Sequence, residues 1–145
     1  QPQSDYWEPH TKMPAIKYTD YPRPFQLEAH ERKERFAILV CHRRFGKTVF
    51  AINVCIKAAA TCSFRAPRFA YIAPLYRQAK AVAWDMLKHY SRPIPGIAYN
   101  EAELRADFPN GARIQLFGGD APDTLRGQGF DLVNMDEYAQ VSARL

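Results

Sequence analysis

What is missing narrows the field first. No apolar stretch approaches the ~20 residues that a membrane-spanning helix needs, and nothing resembles a secretory signal. Cysteine is scarce and odd in number. Cys41, Cys55 and Cys62 have no C-x-x-C spacing and no histidine cluster beside them, which argues against disulfides and a zinc site and fits a reducing cytoplasm. Low-complexity runs are absent as well. Acidic residues almost vanish from the middle of the chain: residues 36–100 hold Asp85 alone against ten lysines and arginines. Residues 1–35 balance six basic against six acidic side chains, and residues 101–145 hold four basic against eight acidic. A basic middle facing an acidic end suits polyanion binding beside a metal site, although a solvated basic face would have the same composition.

What is present is a chain of 145 residues with 47% apolar content, enough for one globular domain with a real core. It begins without an initiator Met and stops shortly after an acidic pair, which reads as a piece of something longer. Five of the eleven prolines fall in residues 1–24, among Tyr6, Trp7, Tyr18 and Tyr21, and this density predicts an extended arm. A short helix is expected over 27–35, then a buried strand over Phe36-Ala-Ile-Leu-Val40.

The segment Cys41-His-Arg43-Arg44-Phe45-Gly46-Lys47-Thr48 follows that strand and leads into a helix expected from Lys47 to about Ala60, apolar nearly all round. Strand, tight loop and helix in this order make a phosphate-binding loop, the Walker A motif. Its backbone N–H groups would face phosphate oxygens, Lys47 would reach the β- and γ-phosphates, and the Thr48 hydroxyl would ligate Mg²⁺. Cys41 stands where the pattern has its first glycine. A basic turn leading into a buried helix is the plainer reading of the loop taken alone. Upstream, Gln26 carries both a donor and an acceptor, which matches the edge of adenine and would select ATP; an exposed helix-start glutamine is the commoner case.

Beyond the loop, Phe69-Ala-Tyr-Ile-Ala73 reads as a second buried strand stopped by Pro74. A helix is expected over 75–90, with Leu75, Ala79, Val82, Ala83, Met86, Leu87 and Tyr90 as its apolar stripe. Asn110-Gly111 lies between 103–108 and 113–117 and marks a hairpin. A short turn or helix over 122–127 and a last strand over 131–135 complete the series. Alternating strands and helices indicate an α/β sheet with its ligand site at the carboxyl ends of the strands. The last strand ends in Asp136-Glu137, the Walker B position. Asp136 together with Thr48 would be a sufficient protein share for Mg²⁺, and Glu137 would take a proton from water attacking the γ-phosphate. An exposed acidic loop is the alternative. Arg43, Arg44 and Arg126 are candidates for a cation on the γ-phosphate, each weighed against a plain surface arginine.

With these residues assembled, the chain resembles the ATPase domain of the large terminase subunit of tailed double-stranded DNA phages, a viral genome-packaging motor. Phe25-Gln26 resembles its adenine-binding motif, and Arg43 to Thr48 its deviant phosphate loop, which commonly lacks the first glycine. Ala73-Pro74 with Gln78-Ala79 resembles the segment after its second strand. Leu125-Arg126-Gly127, Asp131 and Met135-Asp136-Glu137 resemble its arginine-glycine and acidic signature. The resemblance runs from Tyr21 to Val141. It implies a P-loop NTPase fold of the class with an added catalytic glutamate (ASCE): a mostly parallel sheet flanked by helices, cut short after the Walker B strand and carrying a β-hairpin insertion. Residues 1–24 would form the arm, and 25–145 a partial ATPase domain without the coupling motif or the nuclease domain.

The resemblance further implies that Phe25, Gln26 and residues Arg43 to Thr48 bind ATP, that Thr48 and Asp136 hold Mg²⁺, and that Glu137 is the catalytic base. Lys47 would bind phosphate, Arg43 would act in cis, and Arg126 would reach a neighbouring subunit's ATP. Implied partners are double-stranded DNA, a portal protein, the small terminase subunit and further copies in a ring, in the host cytoplasm at the procapsid and away from membranes. In such ATPases the strand between the phosphate-loop strand and the acidic strand comes later in the chain. Without it the sheet would have a gap at its centre, so the piece alone is expected to be poorly stable or inactive. A helicase-like superfamily 2 translocase and a nucleotide-binding module without turnover are the alternatives.

Overall fold

A computed structural model describes residues 24–31, 34–42 and 44–137, and for Phe25, Leu27 and His30 the backbone alone. The expected arm falls, up to residue 23, outside the described residues, and so does Arg43. Helix α1 spans Pro24–Glu31, earlier than expected because Pro24 presets the φ of a first helical turn. Helix α2 spans Lys47–Thr61 and buries Phe50, Ile52, Asn53, Cys55, Ile56 and Ala59.

Five strands form one sheet: β1 Arg68–Ala73, β2 Ala98–Asn100, β3 Arg105–Asp107, β4 Arg113–Gly118 and β5 Leu132–Met135. Their order across the sheet is β2-β3-β4-β1-β5. β1 runs parallel to β4 and to β5, whereas β3 pairs antiparallel with β4 and with β2, so the sheet is mixed. The expected hairpin is β3-β4, extended by β2, which the sequence reading missed.

β1 lies inside the sheet between β4 and β5, and both of its faces are apolar. Phe69, Tyr71 and Ala73 join the main core with Ile52, Ile56, Ile114 and Leu116, while Ala70 and Ile72 pack on the other face with Phe117. Burial of this kind is worth roughly 1.5–3 kcal/mol for each large apolar side chain.

The expected strand at 36–40 does not form. Phe36, Ile38 and Val40 are 83%, 93% and 94% exposed, and the chain there has no ladder partner. A strand in the middle of a sheet needs a neighbour on each side, and β5 is the last strand on this side.

The helix expected over 75–90 is a composite of α3 (Tyr76–Gln78), a π-helical turn (Ala79–Ala83) and α4 (Trp84–Ser91). The wide turn shifts the buried face, so that Trp84 and Ser91 are buried and Val82 is 48% exposed. A 3-10 turn at Pro122–Leu125 leads towards β5.

Candidate nucleotide and metal site

Alternation along β5 puts Asn134 and Asp136 on one face, the face that meets α2. Asn134 donates through Nδ2 to Ala51 O and to Cys55 Sγ, both at 3.1 Å, which pins β5 to the helix. Burial pushes the Cys55 thiol up to about 12, so this contact involves an uncharged sulfur. The backbone N–H of Asp136 donates to Ile72 O at 2.9 Å, holding the acidic pair at the carboxyl end of β1.

At the other end of the site, Gly46 precedes α2 with φ 86°, a left-handed conformation in which a side chain would be strained. Among the described residues no side-chain hydrogen bond caps this helix start, whose first N–H groups lack intrahelical partners. Gln26 Nε2 donates to Phe45 O at 3.1 Å, so α1 braces the loop just before its glycine. Arg44 holds φ 64° and Glu137 φ 50°, two non-glycine residues in left-handed backbone on opposite sides of the site.

Two side-chain pairs close the site between residues 88 and 90 positions apart in the sequence. Thr48 Oγ1 donates to Asp136 Oδ2 at 2.8 Å, and Lys47 Nζ donates to Glu137 Oε1 at 2.9 Å. The hydrogen bond to Glu137 raises the Lys47 ammonium above its ordinary range, with smaller support from the charges of Glu137 and Asp136. The donor set is hard oxygen throughout, a hydroxyl beside a carboxylate, and this fits Mg²⁺, which takes few protein ligands and keeps water and phosphate as the rest. No group of three or more His, Cys, Asp or Glu among the described residues makes a denser metal site.

Sequence reasoning missed one member. Tyr71, 2% exposed on β1, donates its hydroxyl to Asp136 Oδ2 at 2.6 Å. Its phenol is pushed up above the ordinary tyrosine value, first by burial and then by the adjoining carboxylate. In the sequence it reads as one more core ring; the available signal was a polar tip that must find a partner once buried.

Among the expected site residues, the structure brings Gln26, Phe45, Gly46, Lys47, Thr48, Asp136 and Glu137 together. Arg126 stands apart: its side chain is 84% exposed and pairs with Asp123 at 3.1 Å. Arg44 is exposed on the loop, and the Phe25 side chain lies outside the described set.

No protein-family profile matches the sequence, and no curated protein matches it. Among solved structures the chain is similar to the large terminase ATPase domain of Thermus phage P74-26, at 20% identity and TM-score 0.68. The match covers 84% of this chain and 55% of that one. An arginine-to-alanine variant of the same domain matches over 84% of this chain and 56% of its own, with TM-score 0.68 and 20% identity. The chain therefore spans a little over half the length of the structures it matches, and it has the α/β fold of a phage large terminase ATPase domain.

Proposed function

We propose that this chain binds MgATP at the α2 end of its phosphate loop and hydrolyses it, as the ATPase portion of a terminase-type motor that moves double-stranded DNA into a procapsid. The observation that carries the reading is the meeting of Lys47 and Thr48 with Glu137 and Asp136 through contacts of 2.9 and 2.8 Å. Residues nearly 90 positions apart converge on one point at the carboxyl end of a parallel strand pair, where α/β sheets take their ligands.

In this reading the first N–H groups of α2 and the Lys47 ammonium receive the triphosphate. Thr48 and Asp136 would hold Mg²⁺, which when bound neutralises charge on the phosphate oxygens. Glu137, freed from Lys47, accepts the proton of the attacking water. Gln26 faces the adenine side, with Arg43 and Arg44 on the loop; Arg126, turned outward, would serve a neighbouring copy's nucleotide. Double-stranded DNA, a portal protein, a small terminase subunit and a homo-oligomeric ring are partners of this proposal, acting in the host cytoplasm. Among the described residues no helix is long and apolar enough to cross a membrane.

The test is Glu137→Gln in the full-length protein, followed by single-turnover hydrolysis and nucleotide binding. Loss of a positioned base should lower the hydrolytic rate about 10²–10⁴-fold while ATP still binds. Unchanged hydrolysis would remove Glu137 from the chemistry and revive the non-hydrolysing alternative. Unwinding of duplex by the unsubstituted protein would favour the helicase-like one.

A further inference from the structure

We propose that Tyr71 is a positioning residue for the metal-holding carboxylate of Asp136; this rests on the phosphate-loop reading above. Asp136 sits one residue past the end of β5, where nothing in the ladder fixes its side-chain torsions. Two hydroxyls converge on the same oxygen, Oδ2: that of Thr48 at 2.8 Å and that of Tyr71 at 2.6 Å. Among the described residues no hydrogen bond reaches Oδ1.

The two donors differ in what they can do when a cation arrives. Thr48 would turn its oxygen to the metal and cease to donate to Asp136. Tyr71 cannot follow, because its ring is locked in the core between α2 and the sheet with 2% exposure. Its hydroxyl therefore remains the one fixed reference for the carboxylate plane, holding Oδ2 on the buried side and presenting Oδ1 outward. An outer hydrogen bond that orients a ligand in this way typically governs metal affinity by about 10–100-fold. The register supports the assignment: Tyr71 is paired with Asn134, the residue that pins β5 to α2, so the reference point and the carboxylate belong to one rigid row.

The variant is Tyr71→Phe in the full-length protein, which keeps the ring and removes only the donor. Mn²⁺ binding is read by electron paramagnetic resonance in the presence of ADP, and ADP affinity is read separately in EDTA. The expected result is Mn²⁺ affinity about tenfold or more weaker, with metal-free ADP affinity unchanged within about twofold. Ile114→Val, which loosens the core beside the same strand without touching Asp136, should leave both constants alone. Equal Mn²⁺ affinity in Y71F and the unsubstituted protein would overturn the assignment, as would the same loss in I114V, which would mark a merely structural effect. If the unsubstituted protein binds no Mn²⁺ with ADP, the phosphate-loop reading fails and this one with it. Should Y71F not fold, 3-fluorotyrosine placed at position 71 alone gives the same answer. Its ¹⁹F resonance should move when Mg²⁺ joins the ADP complex, and a resonance indifferent to Mg²⁺ would sink the proposal.

Discussion

Lys47 holds Glu137 at 2.9 Å, and in the proposed function it would leave that carboxylate for phosphate. Both side chains are partly exposed, at 31% and 47%, so the pair is of the weak, solvent-screened kind. The Glu137→Gln variant should therefore bind ATP about two- to fivefold more tightly than the unsubstituted protein even as it stops hydrolysing it, because the competing carboxylate is gone. Equilibrium binding of a fluorescent ATP analogue without Mg²⁺ reads this directly, and weaker or equal binding would show that the ion pair does not compete. The linkage has a definite sign. A lysine raised by its partner contributes stability that is complete below the ordinary lysine value of ~10.4 and is lost as pH rises through its higher folded value. The tightening should accordingly be flat across neutral pH.

At the scale of elements, the π turn is the feature that most changes what the helix after β1 presents. In straight α-helix, Ala79, Ala83, Trp84, Leu87 and Ser91 would spread over about 140° of arc; the five-residue turn Ala79–Ala83 narrows that spread against the core. Removing one residue from that turn leaves a spacing of three, four, seven and eleven from Ala79, which is the spacing of an ordinary amphipathic helix. Deletion of the half-exposed Val82 should thus preserve the fold and a cooperative melt. Deletion of Ala58 in α2 should not, since it rotates the last turn and its buried Ala59 out of register. Circular dichroism of the two deletions decides the matter, and collapse of both would mean that the π turn itself is required.

The same helix shows what the sequence could and could not tell. Its existence was legible from periodicity, but Trp84 was left out of the stripe and Val82 put into it, because periodicity assumes a constant 3.6 residues per turn. α2, β1, β4 and β5 were legible because apolar runs between breakers admit few other forms. β2 was not: three residues with two exposed side chains carry no pattern, and its pairing with β3 depends on a neighbour already in place. In the site, Lys47, Thr48 and the acidic pair stood out by residue type and spacing, whereas Tyr71 was camouflaged among Phe69, Ile72 and alanines.

On the scale of the whole molecule, the run Phe36-Ala-Ile-Leu-Val40 was recognisable as strand-forming material, yet it lies unpaired beside the site it leads into. Phe36, Ile38 and Val40 are 83–94% exposed, and Val133 on the end strand β5 is 44% exposed. An apolar segment of high strand propensity and an open sheet edge invite another strand. The resemblance drawn from the sequence implies a later strand between these two elements, and among the described residues the phosphate loop is tied to β5 by side chains and α2. Ile38→Lys together with Val40→Lys should then act with opposite sign in two settings. In the 145-residue polypeptide the lysines should break edge-to-edge association and raise the monomer fraction in sedimentation velocity. In a full-length protein that covers this run, the same lysines would be buried without partners and should lower the melting temperature and the hydrolytic rate. A 145-residue polypeptide that is already monomeric, melts cooperatively and turns over ATP would show that the exposed run needs no covering strand.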